Sequence, residues 1–341
     1  MDQTSENSIR IAMNTAAEQS NEQPSEERKD SKVDADDVDA DDVEIEKITH
    51  PDGSVIIPPK TGAYHTRSVI LVHDVFDTAA EWAQEFSDVR HNGESIMSIF
   101  PGTKWCFPEV NYPWPTQDMG SDISETSVEM ANFWFRYSDT VQNGRRLEIL
   151  ESLSRMLKPI QRLVNRESNL VGIQNVFIGG LEDGATAALH LFLAGLGNQG
   201  GGMGGFIGMN GMLPFQLEIT SLMDGMPNFE DLSLDEYIDK QIQNLKNVVT
   251  FMRKTLDLPP ARTIDRTFAC LGVPIFLGSI MIDPADLERM DMREDMIEIL
   301  RRFRCFHPIY FTNDCKDPNL YGQVEGLVEY LRKTGSIRVP E

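Results

Sequence analysis

A carboxylate occupies the one position in this chain where a nucleophile would be expected. Residues Gly180-Leu181-Glu182-Asp183-Gly184 lie between an apolar strand, Asn175 to Ile178, and an alanine- and leucine-rich stretch running to Leu193, which reads as a helix that is hydrophobic almost all round. A sharp strand-to-helix turn with glycine at both ends lifts the side chain of its middle residue clear of the sheet. Attack on an acyl carbon from such a turn calls for a serine hydroxyl in a G-x-S-x-G frame. Here the packing residues of the turn are kept, Ala185 included, and Glu182 stands in the middle.

The elements needed to hold that turn follow in regular alternation. Arg67 to His73 is a continuous β-branched and apolar run, as expected for a strand buried on both faces of a parallel sheet. A helix begins near Thr78 and runs through Trp82 to Phe86, and Trp105 to Pro108 makes a short strand entering a proline-rich loop. Arg146 to Val164 has helical spacing, Phe206 to Met209 is a strand, and Asp235 to Leu256 carries one apolar face at intervals of three and four, in a place where it could cap the site. Val273 to Leu277 is a further buried strand. Glu294 to Phe303 is a helix, Pro308 to Phe311 the last strand, and Val324 to Lys333 a C-terminal helix. This pattern predicts an α/β fold with a doubly wound, mostly parallel sheet and a helical insert. The glycine cluster from Gly200 to Gly205 precedes a strand, whereas phosphate-cradling loops follow one, so it reads as a connecting loop.

In order and spacing the chain resembles the α/β-hydrolases of the acyl-protein thioesterase, phospholipase and carboxylesterase family, fungal members in particular. The resemblance spans Ser68 to Lys333. It is carried by VILVHDVFDTAAEWA from Val69, IFPGTKWCFP from Ile99, NFWF from Asn132, the turn at Glu182, GGFIGMNGMLPF from Gly204 and PIFLGSIMID from Pro274. It implies an oxyanion hole formed by the backbone amides of Val75 and Asp183, with Glu182 at the nucleophile position and Asp283 at the acid position. It also implies a pocket bordered by His73, Asp74, Trp134, Phe135, Ser279 and Cys315.

This chain departs from the family where the chemistry lies. The family's His-Gly pair is His73-Asp74 here, an aspartate near the mouth is Arg136, and the loop Phe311 to Leu320 that should supply the catalytic histidine has none. Without an imidazole nothing takes the nucleophile's proton, and anionic side chains at Asp74, Glu182 and Asp183 oppose the charge of a tetrahedral intermediate. An aspartate nucleophile does serve in haloalkane dehalogenases and epoxide hydrolases, yet those enzymes still use a histidine to activate water. His307 precedes the family's histidine position, and His73 at a strand end reads first as a packed residue. One further expectation concerns Glu182 itself: at the start of a helix its carboxylate could accept from the Val75 and Asp183 amides and fill the hole.

Composition limits the remaining choices. The net charge is -23 over 341 residues, which excludes a basic footprint for nucleic acid. Residues 1–55 read as a disordered acidic tail and 56–341 as the hydrolase-like domain. The tail's tandem DADDV repeat, Asp34 to Val43, lacks the glycine and glutamate of a calcium-binding loop, and a solvated acidic segment accounts for it. No run of eighteen apolar residues and no signal-like N-terminus is present, and Cys106, Cys270, Cys305 and Cys315 have no C-x-x-C spacing. Reduced thiols in the cytosol or nucleus are expected, with no cofactor, no metal and no membrane span. The implied function is a catalytically impaired acyl- or protein-binding module, whose ligand is an acyl chain or a lipidated protein. An active ester or thioester hydrolase with a rearranged site is the alternative, and a scaffold working through its acidic tail is a third reading.

Overall fold

The computed structural model describes residues 45–111, 146–195, 202–223, 233–261, 273–278, 294, 296–301, 306–312 and 324–336. The larger compact unit spans Ile45–Glu341, and near its start Ile48–Thr49 pairs with Val55–Ile57, which pairs onto the main sheet.

Eight strands form the sheet: β1 (Ile48–Thr49), β2 (Val55–Ile57), β3 (Arg67–Val72), β4 (Thr103–Phe107), β5 (Val176–Leu181), β6 (Gly205–Met209), β7 (Val273–Gly278) and β8 (Phe306–Thr312). Their spatial order is β1-β2-β4-β3-β5-β6-β7-β8. Only the pairings of β1 with β2 and of β2 with β4 are antiparallel. The remaining neighbours run parallel. This is the strand order of the α/β-hydrolase fold.

Successive residues of each strand feed two cores, because side chains alternate across the pleat. On one face Ile70, Val72, Ile178, Ile275 and Leu277 pack under α2 (Arg146–Val171), α3 (Glu182–Gly195), α4 (Gln216–Met223) and α5 (Leu234–Lys254). On the other, Val69, Leu71, Phe177, Ile207 and Phe276 meet α1 (Ala79–Asp88) and α6 (Val324–Ser336). Trp82 and Phe86 of α1 are fully buried there, and burial of each contributes roughly 1.5–3 kcal/mol. Helix α1 starts on a capping box: Thr78 Oγ1 accepts from the Glu81 amide while Glu81 returns a carboxylate oxygen to the Thr78 amide.

Helix α5 joins this packed layer. Its apolar residues Ile242, Leu245, Val249 and Met252 belong to the same core as α3. At its C-terminal end Arg253 donates to the Ala194 carbonyl in the last turn of α3. Helix α5 thus buries its apolar stripe along α3. Among the described residues no helix is long and apolar enough to cross a membrane.

Candidate functional site

The turn at Glu182 has the backbone of a nucleophile elbow. Glu182 sits at φ 46°, in the left-handed region that a long side chain adopts only under constraint. The flanking glycines supply that constraint. A Cβ on Gly180 would lie 2.4 Å from the Val72 carbonyl oxygen, and one on Gly184 would lie 2.3 Å from the carbonyl oxygens of Val72 and His73. The end of β3 therefore presses against both arms of the turn, and no larger residue fits at either arm.

Pairing of β3 with β5 in register, Val72 opposite Gly180, carries His73 and Asp74 alongside the first turn of α3. The Asp183 amide donates to Asp74 Oδ1 at 3.2 Å, in a buried setting. Asp183 is thus the meeting point expected for an oxyanion, but its acceptor is the carboxylate of Asp74. The expectation placed Glu182 on the Val75 and Asp183 amides; at the Asp183 amide the described acceptor is Asp74, from the loop after the neighbouring strand. The physical reason that favours a carboxylate there is the one foreseen, since orphan N–H groups and the helix dipole at the start of α3 attract an anion. Glu182 has a partner at the exit of β6. Its Oε1 accepts from the Asn210 side-chain amide at 3.1 Å. Asn210 has φ 57° and anchors itself by donating its backbone N–H to the Gly278 carbonyl, so the ends of β6 and β7 together support the contact.

His73 is buried, with both ring nitrogens engaged. Nε2 lies 3.1 Å from the Val110 amide, which can only donate, so Nε2 is an acceptor and the proton resides on Nδ1, 2.6 Å from the Asp74 carbonyl. The neutral ring ties the loop after β3 to the exit of β4, with Glu109 Oε1 at 3.8 Å. The other five histidines also lie within described segments. His190, on α3, is two turns beyond Glu182, roughly 12 Å along the axis. It bonds Thr255 Oγ1 at 2.6 Å, and burial pushes its pKa down to about 3, so it stays neutral. His65 precedes the start of β3, at the opposite end of the sheet. His307 falls near the start of β8, while Thr312 at that strand's end is the residue paired with Gly278. His50 is in the turn between β1 and β2 at the sheet's edge, three strands from β5 at about 4.8 Å per strand. His91 follows α1, whose ten residues carry the chain roughly 15 Å from the Asp74 loop.

The electrostatics at the elbow are negative. Asp74 and Asp183 are buried. Burial first, and then the charge of Asp74, raises the Asp77 carboxyl above its ordinary value. Among the described residues no group of three His, Cys, Asp or Glu side chains has metal-binding geometry.

Of the residues implied by the resemblance, His73, Asp74, Val75, Glu182 and Asp183 converge at the ends of β3 and β5. Asp283, Trp134, Phe135, Ser279 and Cys315, together with Arg136, lie outside the described residues. Asn210 was not singled out from the sequence. Its signal was the Asn-Gly pair directly after β6, where a polar residue tolerant of positive φ meets the elbow.

The Asp74 contact can be weighed by mutation. Asp74→Ala leaves the buried Asp183 amide without its acceptor, and a cost of about 1–3 kcal/mol is expected in denaturant unfolding. An unchanged unfolding midpoint would mean that this hydrogen bond is not formed in solution.

No family model matches the chain, and no curated protein matches it. Solved structures do. Acyl-protein thioesterase 2 of Zea mays is 13% identical with a TM-score of 0.41, over 82% of this chain and 98% of that one. Esterase PE8 is 11% identical with a TM-score of 0.44, over 82% and 97%. A phospholipase/carboxylesterase from Dyadobacter fermentans is 13% identical with a TM-score of 0.41, over 84% and 97%. The fold rests on the strand order and the elbow described above.

Proposed function

We propose that this α/β-hydrolase-fold protein works by binding rather than by hydrolysis, with an acyl chain or a lipidated protein as its ligand, in the cytosol or nucleus. The observation that carries the loss of hydrolysis is the Asp74 carboxylate on the Asp183 amide. A hydrolase needs that donor unoccupied and aimed at the developing oxyanion, where removal of one donor already costs about 10²–10³ in rate. A resident carboxylate takes the donor and adds a charge of the same sign as the intermediate. Glu182 in place of serine, and the engagement of both nitrogens of His73, support the same reading. The acyl ligand class comes from the sequence resemblance alone.

The test uses the full chain and a fluorescent peptide carrying an S-palmitoyl group, beside the same peptide without it. Binding of the acylated form alone is expected by anisotropy, with thiol release no faster than in buffer and no labelling by a fluorophosphonate probe. Thioester cleavage or stoichiometric labelling would overturn the non-hydrolytic assignment. Equal binding of both peptides would overturn the acyl ligand.

A further inference from the structure

A cleft separate from the elbow opens at the edge of the sheet, between the β1–β2 turn and one face of α2, with a volume of about 360 Å³. That size lies in the range of small-molecule sites. Its floor is apolar: Ile56 and Cys106, paired across β2 and β4, are buried beneath it, and Leu163 of α2 closes one side. The Cys106 thiol is pushed up to about 12 by burial, so it serves as floor rather than as a reactive group.

The charges around the cleft are unequal in their commitments. The outer wall carries two carboxylates that keep their charge, each accepting one neutral backbone amide. Asp52 accepts from the Ser54 amide, and Glu109 accepts from the Ala79 amide at the start of α1. On the helix wall, Arg162 and Arg166 stand one turn apart on α2 and both line the cleft. Arg166 reaches Glu167 through Nε, but that carboxylate is shared with Lys104, and Arg162 makes no ion pair among the described residues. The cleft's charges are thus divided, with the lining carboxylates Asp52 and Glu109 on the outer wall and the guanidiniums Arg162 and Arg166 on the helix wall, where together with Lys104 they outnumber the single Glu167 carboxylate.

We infer that this cleft binds a small amphipathic anion, its carboxylate or phosphate head on Arg162 and Arg166 and its apolar tail over Ile56, Cys106 and Leu163. Guanidinium forks suit either head, and the apolar floor removes hydrocarbon from water. The inference stands apart from the acyl site proposed at the elbow.

The experiment is calorimetric titration of the full chain with octanoate, octyl phosphate, butyrate and octylamine, repeated on Arg162→Glu and Arg162→Lys. Arg162 is exposed, and neither change touches the buried core. Octanoate or octyl phosphate should bind more tightly than butyrate and octylamine, the tighter of the two naming the head. Arg162→Glu should weaken that binding by about tenfold or more, the worth of one charge-assisted contact, and Arg162→Lys should retain most of it. Octylamine binding as tightly as octanoate, or octanoate binding unaffected by Arg162→Glu, would overturn the inference. The second result would move the anion to another site while leaving the elbow reading intact.

Discussion

Restoring serine at position 182 is expected to yield no esterase. In Glu182→Ser the hydroxyl would stand on a correctly built elbow, since the turn depends on Gly180 and Gly184 and not on the side chain between them. Activation still requires a base. Both His73 nitrogens are committed to Asp74 and Val110, His190 is sealed in the core beside Thr255, and the other four histidines lie at the far end of the sheet, at its edge or beyond α1. Removing the base alone costs a serine hydrolase on the order of 10⁶ in turnover. The occupied Asp183 amide adds a further loss. Hydrolysis of p-nitrophenyl butyrate by Glu182→Ser should therefore match the wild type and sit at the buffer rate. The double variant Glu182→Ser, Asp74→Gly frees the amide and restores the His-Gly pair, and it should still remain below any working triad. A burst of p-nitrophenol from the single variant would locate a base that the histidines do not provide, and would sink the argument.

The largest loss of stability is expected at Glu167, a buried residue of α2. Its Oε2 accepts from Ser68 Oγ on β3 at 2.9 Å, and its Oε1 accepts from Lys104 Nζ on β4 at 2.8 Å and Arg166 Nε at 3.1 Å. Ser68 in turn meets His65 Nε2 at 2.9 Å. One carboxylate thus joins a helix to two central strands. Glu167→Ala removes the partner of a mostly buried ammonium and the acceptor of a buried hydroxyl, and about 3–5 kcal/mol is expected. At roughly 2–4 °C per kcal/mol this places the thermal midpoint on the order of 6–20 °C lower. Glu167→Gln keeps the shape and loses the charge, so it should fall between the two.

The acid dependence has a definite sign. Burial alone would raise the Glu167 carboxyl, but hydrogen bonds and charge from Lys104, Ser68 and Arg166 outweigh it and hold the group below the usual carboxylate range. A lowered folded value stabilises the fold fully above the unfolded value, about 4.3, and that contribution disappears as pH falls through the folded value. The gap in unfolding free energy between wild type and Glu167→Gln should therefore be widest near neutrality and close below about pH 4. A gap that persists unchanged at pH 3 would show that charge is not what Glu167 contributes.

Much of this molecule is written locally. Long apolar runs such as VILVH, the helical periodicity of Asp235 to Leu256 and the doubled glycine of the elbow each express their structure within a few residues, so strands, helices and turn can be read in order. Short elements escaped. β1 has two residues and β2 three, too few for a period; β2 forms a strand on the edge that β4 offers, and β1 on the edge of β2. The bridging role of Glu167 escaped as well, since a lone glutamate on an amphipathic helix gives no sign that a lysine and a serine from two strands converge on it.

Residue order alone places a carboxylate on a strand-to-helix elbow and no histidine between Phe311 and Leu320. Which carboxylate takes the Asp183 amide was decided only in three dimensions. Asp74 and Glu182 are both near enough in sequence logic, but the contact joins residues 109 positions apart and depends on β3 and β5 pairing in register with glycines permitting their close approach. The left-handed backbone at Glu182 accompanies a side chain bonded to Asn210, and Asp74 holds the amide at the start of the helix. Local pattern encodes the turn, because its requirements are steric and short-range. The occupant of the site is a competition between two side chains for one donor, and only the packed geometry sets their reach.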